Sequence, residues 1–209
     1  MTGLDLDAFE RTPVTDKPFP YVVVPHFVTG EAFERALADY PKIGKPGSFP
    51  VFTQKPGPGL RAVLDELEGD AFREAVERKF GIDLSGKPTM TTLRSRARAR
   101  DGQIHLDSKT KVVTVLVYLN RASDAFESHA GCLRILNGPG DLQNFAAEVP
   151  PVNGTLLVFP CTPNAWHGHE SFEGERQVIQ LNWVTGEDVV RREQRRHAVS
   201  AFFKNLNPF

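Results

Sequence analysis

Cysteine is scarce in this sequence, and its two thiols, Cys132 and Cys161, are too few for a disulfide framework. Both lie in apolar, strand-like runs, where a free cysteine usually packs as a small apolar residue, so we expect two buried, reduced thiols. Neither sign of charge is in excess, since 25 basic and 26 acidic side chains give a net charge of −1. This balance predicts no general attraction to nucleic acid or to an anionic membrane.

Long apolar runs are also missing. No run approaches the roughly 18 residues of a membrane-spanning helix, so no membrane span is predicted. Residues 1–10 are acidic and do not show the basic-then-apolar pattern of a signal peptide, which leads us to expect a cytoplasmic protein. With 209 residues, 40 % of them hydrophobic, the chain can build one large packed domain. Nothing in the sequence predicts an oligomeric state.

The first 88 residues predict a helical support that contains one loop. Residues 21–24 form a β-branched run typical of a short strand. Thr29 is a suitable N-cap for a helix over 30–40, and a second amphipathic helix with one break is predicted over 60–80. Between these helices, residues 42–59 are rich in proline and glycine. They predict a long loop, which we interpret as a candidate substrate lid.

From residue 89 onward the pattern changes to short strands separated by turns. Each predicted strand is bounded by glycine, proline, asparagine or aspartate, and together they cover residues 89–100, 111–119, 132–136, 155–159 and 176–184. Many strands without regularly alternating helices predict an antiparallel barrel or jelly roll.

Two further helical segments are expected, one or two turns over 140–147 and a basic helix over 186–204. The whole chain, 1–209, is therefore predicted to be a single domain. Its three parts are the helical support (1–88), the β core (89–185) and the C-terminal helix (186–209).

Two histidines and one carboxylate form the motif that indicates chemistry. His105 and Asp107 are two residues apart, so on an extended strand their side chains share a face. His167 follows a later predicted strand and a turn, and it meets them if the chain returns beside the first strand. Such a set holds Fe(II) and leaves positions open for other ligands. The pair alone is a weak signal, but Arg176 strengthens it, because a guanidinium can bind a carboxylate through two parallel hydrogen bonds.

From residue 103 to residue 184 the sequence resembles the 2-oxoglutarate/Fe(II) dioxygenases, and within them the prolyl-4-hydroxylase-like branch. The resemblance is carried by the order and spacing of short motifs: Ile-His-Leu-Asp at 104–107, Val-Thr-Val-Leu-Val-Tyr-Leu-Asn at 113–120, Gly-Cys-Leu-Arg-Ile at 131–135, Gly-Thr-Leu-Leu-Val-Phe-Pro at 154–160, Trp-His at 166–167, and Arg176. It implies a mainly β fold with flanking helices around a double-stranded β-helix, the cupin-like jelly roll.

The same resemblance implies a cofactor set. Fe(II) would be held by the two histidines and the aspartate of the motif, with 2-oxoglutarate and O₂ as cosubstrates. Arg176 would bind the distal carboxylate of 2-oxoglutarate, and Tyr118 would assist, since a hydroxyl and a guanidinium can donate to the same anion. Thr114 shares a strand face with Tyr118, and we assign it and Leu133 to the cosubstrate pocket.

Three positions depart from the family pattern. Ser95 stands where some relatives have a tyrosine, Ala130 replaces the first residue of a Gly-Gly pair, and Val178 stands where other branches carry serine. None of the three belongs to the metal motif. They leave the specificity for proline open.

Two groups of polar side chains are candidates for contact with the primary substrate. If Arg176 points into the barrel, alternation places Gln180 and Asn182 on the same inner face, where buried amides need partners. The second group consists of arginines at alternate positions before the metal motif, which would suit an anionic substrate if they face the barrel mouth: Arg94, Arg96, Arg98 and Arg100. An ordinary solvated strand face remains the alternative for this second group.

The sequence thus predicts an Fe(II)- and 2-oxoglutarate-dependent oxygenase. Its expected reaction is hydroxylation of an unactivated C–H bond in a small-molecule or peptidyl substrate, with release of succinate and CO₂. A cupin-like metal-binding isomerase and a non-catalytic binding module remain alternatives. Cupin sites usually take more histidines, and His169 competes with His167 as the distal ligand. We prefer His167, because its spacing to Arg176 matches the family.

Overall fold

Two sheets and a layer of helices form the part of the chain that the computed structural model describes, which is residues 3–122, 126 and 129–192. The helices precede the sheets in the chain: α1 (Leu6–Arg11), α2 (Gly30–Ala38), α3 (Pro58–Leu67) and α4 (Asp70–Phe80). The strands are β1 (Val22–Val24), β2 (Phe49–Pro50), β3 (Thr89–Ala97), β4 (Lys111–Tyr118), β5 (Leu133–Leu136), β6 (Phe145–Val149), β7 (Leu156–Pro160), β8 (His167–Gly168) and β9 (Gly174–Val184).

The larger sheet has the strand order β1-β7-β4-β9-β3-β2, and the smaller sheet has the order β6-β5-β8. Neighbouring strands in both sheets are antiparallel. Pairs of strands distant in sequence, such as β4 with β7 and β4 with β9, lie side by side, as the return connections of a jelly roll require. The predicted double-stranded β-helix is therefore confirmed.

The two faces of the larger sheet contact different parts of the molecule, because successive side chains along each strand point to opposite faces. One face packs on the helices through aliphatic residues of β4 and β9: Val113, Val115, Val117, Ile179 and Leu181. The opposite face looks toward the smaller sheet, where Leu116, Tyr118 and Val178 join Leu133 and Ile135 in a second core. The polar members of this inner face, Thr114, Arg176 and Gln180, are thereby directed into the space between the sheets.

The helices cover the outer face of the larger sheet. Leu60 and Leu64 of α3 and Phe72 of α4 are fully buried against that face. The predicted break in the second helix is Gly69, which serves as the N-cap of α4, and Gly81 ends α4 in the left-handed conformation at φ 64°. At a typical 25 cal/mol per Å² of apolar surface, each such side chain contributes roughly 2 kcal/mol.

Several local predictions need correction. Residues 140–147 do not form helical turns, because Phe145–Val149 pairs with β5 as a strand. Thr29 is the N-cap of α2 but makes no capping hydrogen bond, since its hydroxyl donates to the Gly3 carbonyl instead. Cys132 and Cys161 are both free, but only Cys132 is buried.

The remaining predictions concern the loop and the end of the chain. The segment 42–59 is not all loop: it contains strand β2, which pairs with β3, and one turn of 3-10 helix, and α3 already begins at Pro58. The basic C-terminal helix is present over 187–192, and the rest of its predicted length lies outside the described residues. Within the described part of the chain, no helix is long and apolar enough to cross a bilayer.

Candidate metal centre

Three side chains come together at one end of the space between the sheets. One ligand atom from each of His105, Asp107 and His167 lies within 4.8 Å of the others. Their alignment comes from the backbone, because His105 and His167 form an antiparallel bridge with reciprocal N–H to C=O hydrogen bonds of 3.0 and 3.2 Å. The predicted return of the chain beside the first strand is thus what joins the two histidines. Two imidazoles and one carboxylate make a donor set suited to Fe(II).

Both histidine rings are oriented by the protein. His105 Nδ1 lies 2.8 Å from the Gln103 carbonyl oxygen, and His167 Nδ1 lies 2.9 Å from the Ala165 carbonyl oxygen. A carbonyl can only accept, so each Nδ1 carries the proton and each Nε2 keeps a lone pair. This is the usual way in which a protein fixes the tautomer of a metal-binding histidine.

Asp107 is held through both carboxylate oxygens. Lys111 Nζ lies 2.5 Å from Oδ1, and the Thr114 hydroxyl donates to Oδ2 at 2.6 Å. Thr114 in turn accepts a hydrogen bond of 2.7 Å from the Asn182 side-chain amide, and Gln180 donates to the Asn182 carbonyl oxygen at 3.2 Å. A continuous chain of hydrogen bonds, from Gln180 through Asn182 and Thr114, therefore orients the carboxylate of Asp107.

The environment keeps the ligand atoms in the protonation states that a metal requires. Burial lowers the pKa of His167 to about 4, and the neighbouring His105 adds to this effect. Burial alone would raise the pKa of Asp107, but Lys111 and His167 outweigh burial, so the pKa of this carboxyl is lowered. At neutral pH the site thus presents a neutral His167 and an ionised Asp107, as metal coordination demands.

A cavity of about 480 Å³ opens onto this cluster. Its volume is in the range of small-molecule sites. The charged side chains on its wall are Arg94, Arg100, Asp101, Asp107, Lys111 and Arg176. Leu133, Thr114 and Gln180 also line it, as predicted for a cosubstrate or substrate pocket.

Arg176 and Tyr118 leave buried donors without partners. Arg176 is 6 % exposed, and its Nε donates to the Gly131 carbonyl at 2.9 Å. Its Nη2 and the hydroxyl of the fully buried Tyr118 have no hydrogen-bond partner among the described residues. The guanidinium carbon lies 5.3 Å from the centre of the Tyr118 ring. Unsatisfied buried donors are costly, so this corner of the cavity is suited to an anion.

Comparison with known families identifies this arrangement. Residues 95–185 match the family model of the 2OG-Fe(II) oxygenase superfamily, where 2OG is 2-oxoglutarate. The match covers the β core from strand β3 to the end of strand β9, which is somewhat less than half of the chain. Fe(II) and 2-oxoglutarate are accordingly its cofactor and cosubstrate, with O₂ as the usual second cosubstrate. A comparison with curated protein sequences found no significant match.

Solved structures of prolyl hydroxylases share the fold of this oxygenase. A prolyl-4-hydroxylase from Pseudomonas putida is 18 % identical with a TM-score of 0.58, and the match covers 89 % of this chain and 96 % of that one. A viral collagen prolyl hydroxylase from Paramecium Bursaria Chlorella virus-1 is 13 % identical with a TM-score of 0.53, over 85 % and 95 % of the two chains. A Trichoplax adhaerens prolyl hydroxylase in complex with a hypoxia inducible factor peptide is 13 % identical with a TM-score of 0.51, over 95 % and 92 %. At these identities the likeness shows a common fold.

The arginines before the metal motif do not share one face in this oxygenase core. Arg94 pairs with Val178 and Arg96 with Glu175, so the register shifts between the two pairs. Directly paired residues share a face, and residues 175 and 178 of β9 lie on opposite faces of the sheet. Arg94 therefore lines the cavity, whereas Arg96 is exposed and lines a separate depression beside Tyr40.

Asn182 and Tyr118 were predicted to contact the substrate and the cosubstrate, but both lie behind the residues that line the cavity. Alternation placed Asn182 on the inner face correctly, but the side chain sits beneath Thr114 and does not line the cavity. Tyr118 likewise lies behind Arg176 and is absent from the cavity wall. Assistance from Tyr118 in binding the cosubstrate stays a prediction.

Two more residues stand at the site: Lys111, which the sequence analysis did not single out, and His169, which it considered only as a rival to His167 for the metal. Lys111 stands four residues after Asp107, and its opposite charge was the signal that could have identified it. His169 is buried on the cavity wall and is not one of the three clustered ligands. Its Nδ1 lies 2.7 Å from the Glu170 carbonyl oxygen, and burial lowers its pKa to about 4.

Proposed function

We propose that this protein is an Fe(II)- and 2-oxoglutarate-dependent oxygenase that hydroxylates an unactivated C–H bond, with His105, Asp107 and His167 as the iron ligands. One observation carries the proposal. A single cavity contains the three ligands and, on its wall, a buried arginine with a donor that no described residue satisfies. The first feature suits the metal and the second suits the far carboxylate of 2-oxoglutarate.

The arginine corner supports 2-oxoglutarate over a neutral cosubstrate. Arg176 forms no ion pair with a carboxylate in the described part of the chain, and its Nε bond to Gly131 fixes the plane of the guanidinium. A buried charge without a partner costs several kcal/mol, and a carboxylate that accepts from Nη2 would remove much of that cost. The hydroxyl of Tyr118 is a second unsatisfied donor near the same guanidinium.

Bound Fe(II) would activate O₂, and the oxidative decarboxylation of 2-oxoglutarate to succinate and CO₂ would supply the oxidising power for C–H cleavage. The protein's own contribution is positional. The carbonyls of Gln103 and Ala165 orient the two imidazoles, and Thr114 orients the carboxylate. His167 is buried, whereas His105 is exposed on the side where the cavity opens. A cupin-like isomerase is not favoured, because such a site has no need for an unsatisfied arginine on the cavity wall.

The test is an anaerobic titration of the metal-free protein with Fe(II) and then with 2-oxoglutarate, followed through the visible charge-transfer absorption of the complex. In the Arg176→Ala variant we expect the dissociation constant of 2-oxoglutarate to rise by at least about 30-fold, while Fe(II) binding changes little. Arg35→Ala is the matched control, because the Arg35 side chain is exposed on α2 and forms only an exposed ion pair with Glu31. Absence of the band in a protein that binds one Fe(II) per chain would refute the proposal.

The finer assignments extend the same proposal. The primary substrate is a small molecule or a peptidyl residue. The prolyl hydroxylases of similar fold support a peptidyl residue, but the likeness does not decide between the two classes. The lid role of residues 42–59 stays a prediction, and Ser48 is the one residue of that segment on the cavity wall. A cytoplasmic location and the lack of nucleic-acid and membrane partners also remain predictions from the sequence.

A further inference from the structure

The wall of the cavity carries more positive than negative charge. Among the described residues, four cationic side chains line it but only two carboxylates do, Asp101 and Asp107. Asp107 belongs to the metal cluster, and Asp101 is already bound by the Arg98 side chain at 3.0 Å and by the Arg98 backbone N–H at 3.0 Å. If Arg176 serves the cosubstrate, as proposed above, Arg94 is left without an ion pair of its own, because the nearby Asp101 is bonded to Arg98.

Arg94 faces the same space as Arg176. Its cross-strand partner on β9 is Val178, which is two residues from Arg176 and therefore on the same inner face. The Nε of Arg94 donates to the Ser48 hydroxyl at 2.6 Å, and no ion pair to Arg94 is formed within the described residues. The outer nitrogens of the guanidinium are thus left to a partner in the cavity.

The protein holds Arg94 in place from both sides. The hydroxyl of Tyr40 lies 2.8 Å from the Arg94 carbonyl oxygen and 3.0 Å from the Val178 carbonyl oxygen, so it ties β3 to β9 at this position. Tyr40 itself is 7 % exposed. A guanidinium fixed through its backbone and through Nε loses little further freedom on binding a ligand, which favours tight binding of an anion.

The electrostatics agree with this geometry. Burial lowers the pKa of the Arg94 guanidinium, and the like charge of Arg176 lowers it further, against a smaller opposite effect of Asp101. Two guanidinium groups that repel each other across one cavity are stabilised when anions occupy both. An anion held at Arg176 relieves this repulsion, but the charge of Arg94 itself remains without an ion pair on the cavity wall.

We infer that Arg94, held by Ser48 and Tyr40, is a second oxyanion-binding subsite of the cavity, and that the primary substrate is a small molecule carrying a carboxylate or a phosphate. This inference rests on the proposed function, because it assigns Arg176 to the cosubstrate. Arg94 would then determine specificity by anchoring the charged end of the substrate, so that a C–H bond elsewhere in the molecule faces the metal. Exposed Arg100, also on the wall, adds positive potential that attracts the same class of molecule.

The experiment compares matched pairs of probes that differ only in the anion. L-Proline and L-leucine are compared with their carboxamides, and glycerol 3-phosphate is compared with glycerol. Binding is followed by ligand-observed NMR in metal-free Arg176→Ala protein, where the other guanidinium is absent, with and without the additional change Arg94→Gln. The same probes are then added to the wild-type protein with Fe(II) and 2-oxoglutarate, and succinate release is measured.

We expect at least one anionic probe to bind about tenfold or more tightly than its neutral partner, and Arg94→Gln to abolish this preference. Arg94→Lys, which keeps the charge without the planar fork, should retain part of it. Arg96→Gln is the charge-matched control, because the register shift places Arg96 on the opposite face, and it should behave as its parent protein. The carboxylate and phosphate pairs decide which oxyanion is preferred.

Three results would overturn the inference. The first is binding of the neutral probes as tight as that of the anions, and the second is no binding of any anion; either result removes the subsite. The third is a loss of 2-oxoglutarate affinity in Arg94→Gln as large as in Arg176→Ala, which would assign Arg94 to the cosubstrate. The NMR measurement needs no metal, so a failure of Fe(II) and 2-oxoglutarate to form their complex would refute the proposed function alone.

Discussion

The hydrogen bond from Thr114 to Asp107 is expected to set the metal affinity of this protein. Thr114→Val keeps the shape of the side chain and removes the hydroxyl, which donates to Asp107 Oδ2 at 2.6 Å. Hydrogen bonds to charged groups contribute about 1.5–3 kcal/mol, and each 1.4 kcal/mol corresponds to a factor of ten. We therefore expect the dissociation constant of Fe(II), or of Zn(II) as a stable substitute, to rise about 10- to 100-fold. Changes to groups that orient metal ligands typically have effects of this size.

The same substitution has a separate cost in stability. The Asn182 side-chain amide loses its 2.7 Å acceptor and keeps only the Val113 carbonyl oxygen at 3.5 Å. An unsatisfied buried amide costs about 1–3 kcal/mol, so urea unfolding of the metal-free variant should show a decrease in that range. Metal affinity is therefore measured by calorimetric titration under conditions where circular dichroism shows the variant to be folded.

Thr114→Ser provides the control, since it keeps the hydroxyl and loses only a methyl group. It should bind metal within a few-fold of the wild-type value. Asn182→Ala should weaken metal binding less than Thr114→Val, because Asn182 acts on Asp107 only through Thr114. Wild-type metal affinity in folded Thr114→Val would show that Asp107 needs no support from this hydroxyl and would refute the reasoning.

Three further outcomes are expected. Lys111→Met should tighten metal binding several-fold in the same titration, because it removes a cation that lies 2.5 Å from Asp107 Oδ1 and competes with the metal. The pKa values of His167 and His169 are lowered to about 4 from an ordinary 6.5. Their contribution to the free energy of unfolding is therefore fully present above pH 6.5 and is lost as the pH falls toward 4. Urea unfolding of the metal-free protein at several pH values should show this loss, about 3 kcal/mol at most for each group, and saturating Zn(II) should reduce the part due to His167. Gly102→Ala would place a Cβ 2.3 Å from the His169 ring at φ 85°, so we expect about 1–3 kcal/mol of destabilisation in thermal unfolding.

The sequence predicts the inner face of β9 well, because the residues after Arg176 alternate between the two faces of the strand. The metal cluster has a different origin, since residues 105–107 do not form the expected strand. His105 forms an isolated bridge with His167, and this contact between residues distant in sequence brings the ligands together. Periodicity also explains the limit of the prediction for Asn182. It fixes which face a side chain occupies, but how deeply the side chain lies beneath a neighbouring strand depends on the register with β4, where Asn182 pairs with Thr114.

Other features depend on contacts that are distant in sequence. The shift that separates Arg94 from Arg96 arises in the pairing of β3 with β9, which no local pattern reveals. The segment Phe145–Val149 contains two alanines and a glutamate, which favour a helix, yet pairing with β5 makes it a strand. Strand preference is decided by the neighbouring strand and by burial more than by intrinsic propensity, so this error has a physical reason.

The distribution of charge in the cavity links its three expected occupants. In the metal-free protein Lys111 neutralises Asp107, and the two guanidinium groups of Arg94 and Arg176 face the same space. A divalent cation is repelled by that wall, whereas a dianion is attracted by it, so a bound anion at Arg176 lowers the electrostatic cost of placing the metal. By linkage, a bound metal strengthens the binding of the anion by the same free energy. An anionic substrate at Arg94 would act in the same direction, which favours the metal, the cosubstrate and the substrate occupying the cavity together over any one of them alone.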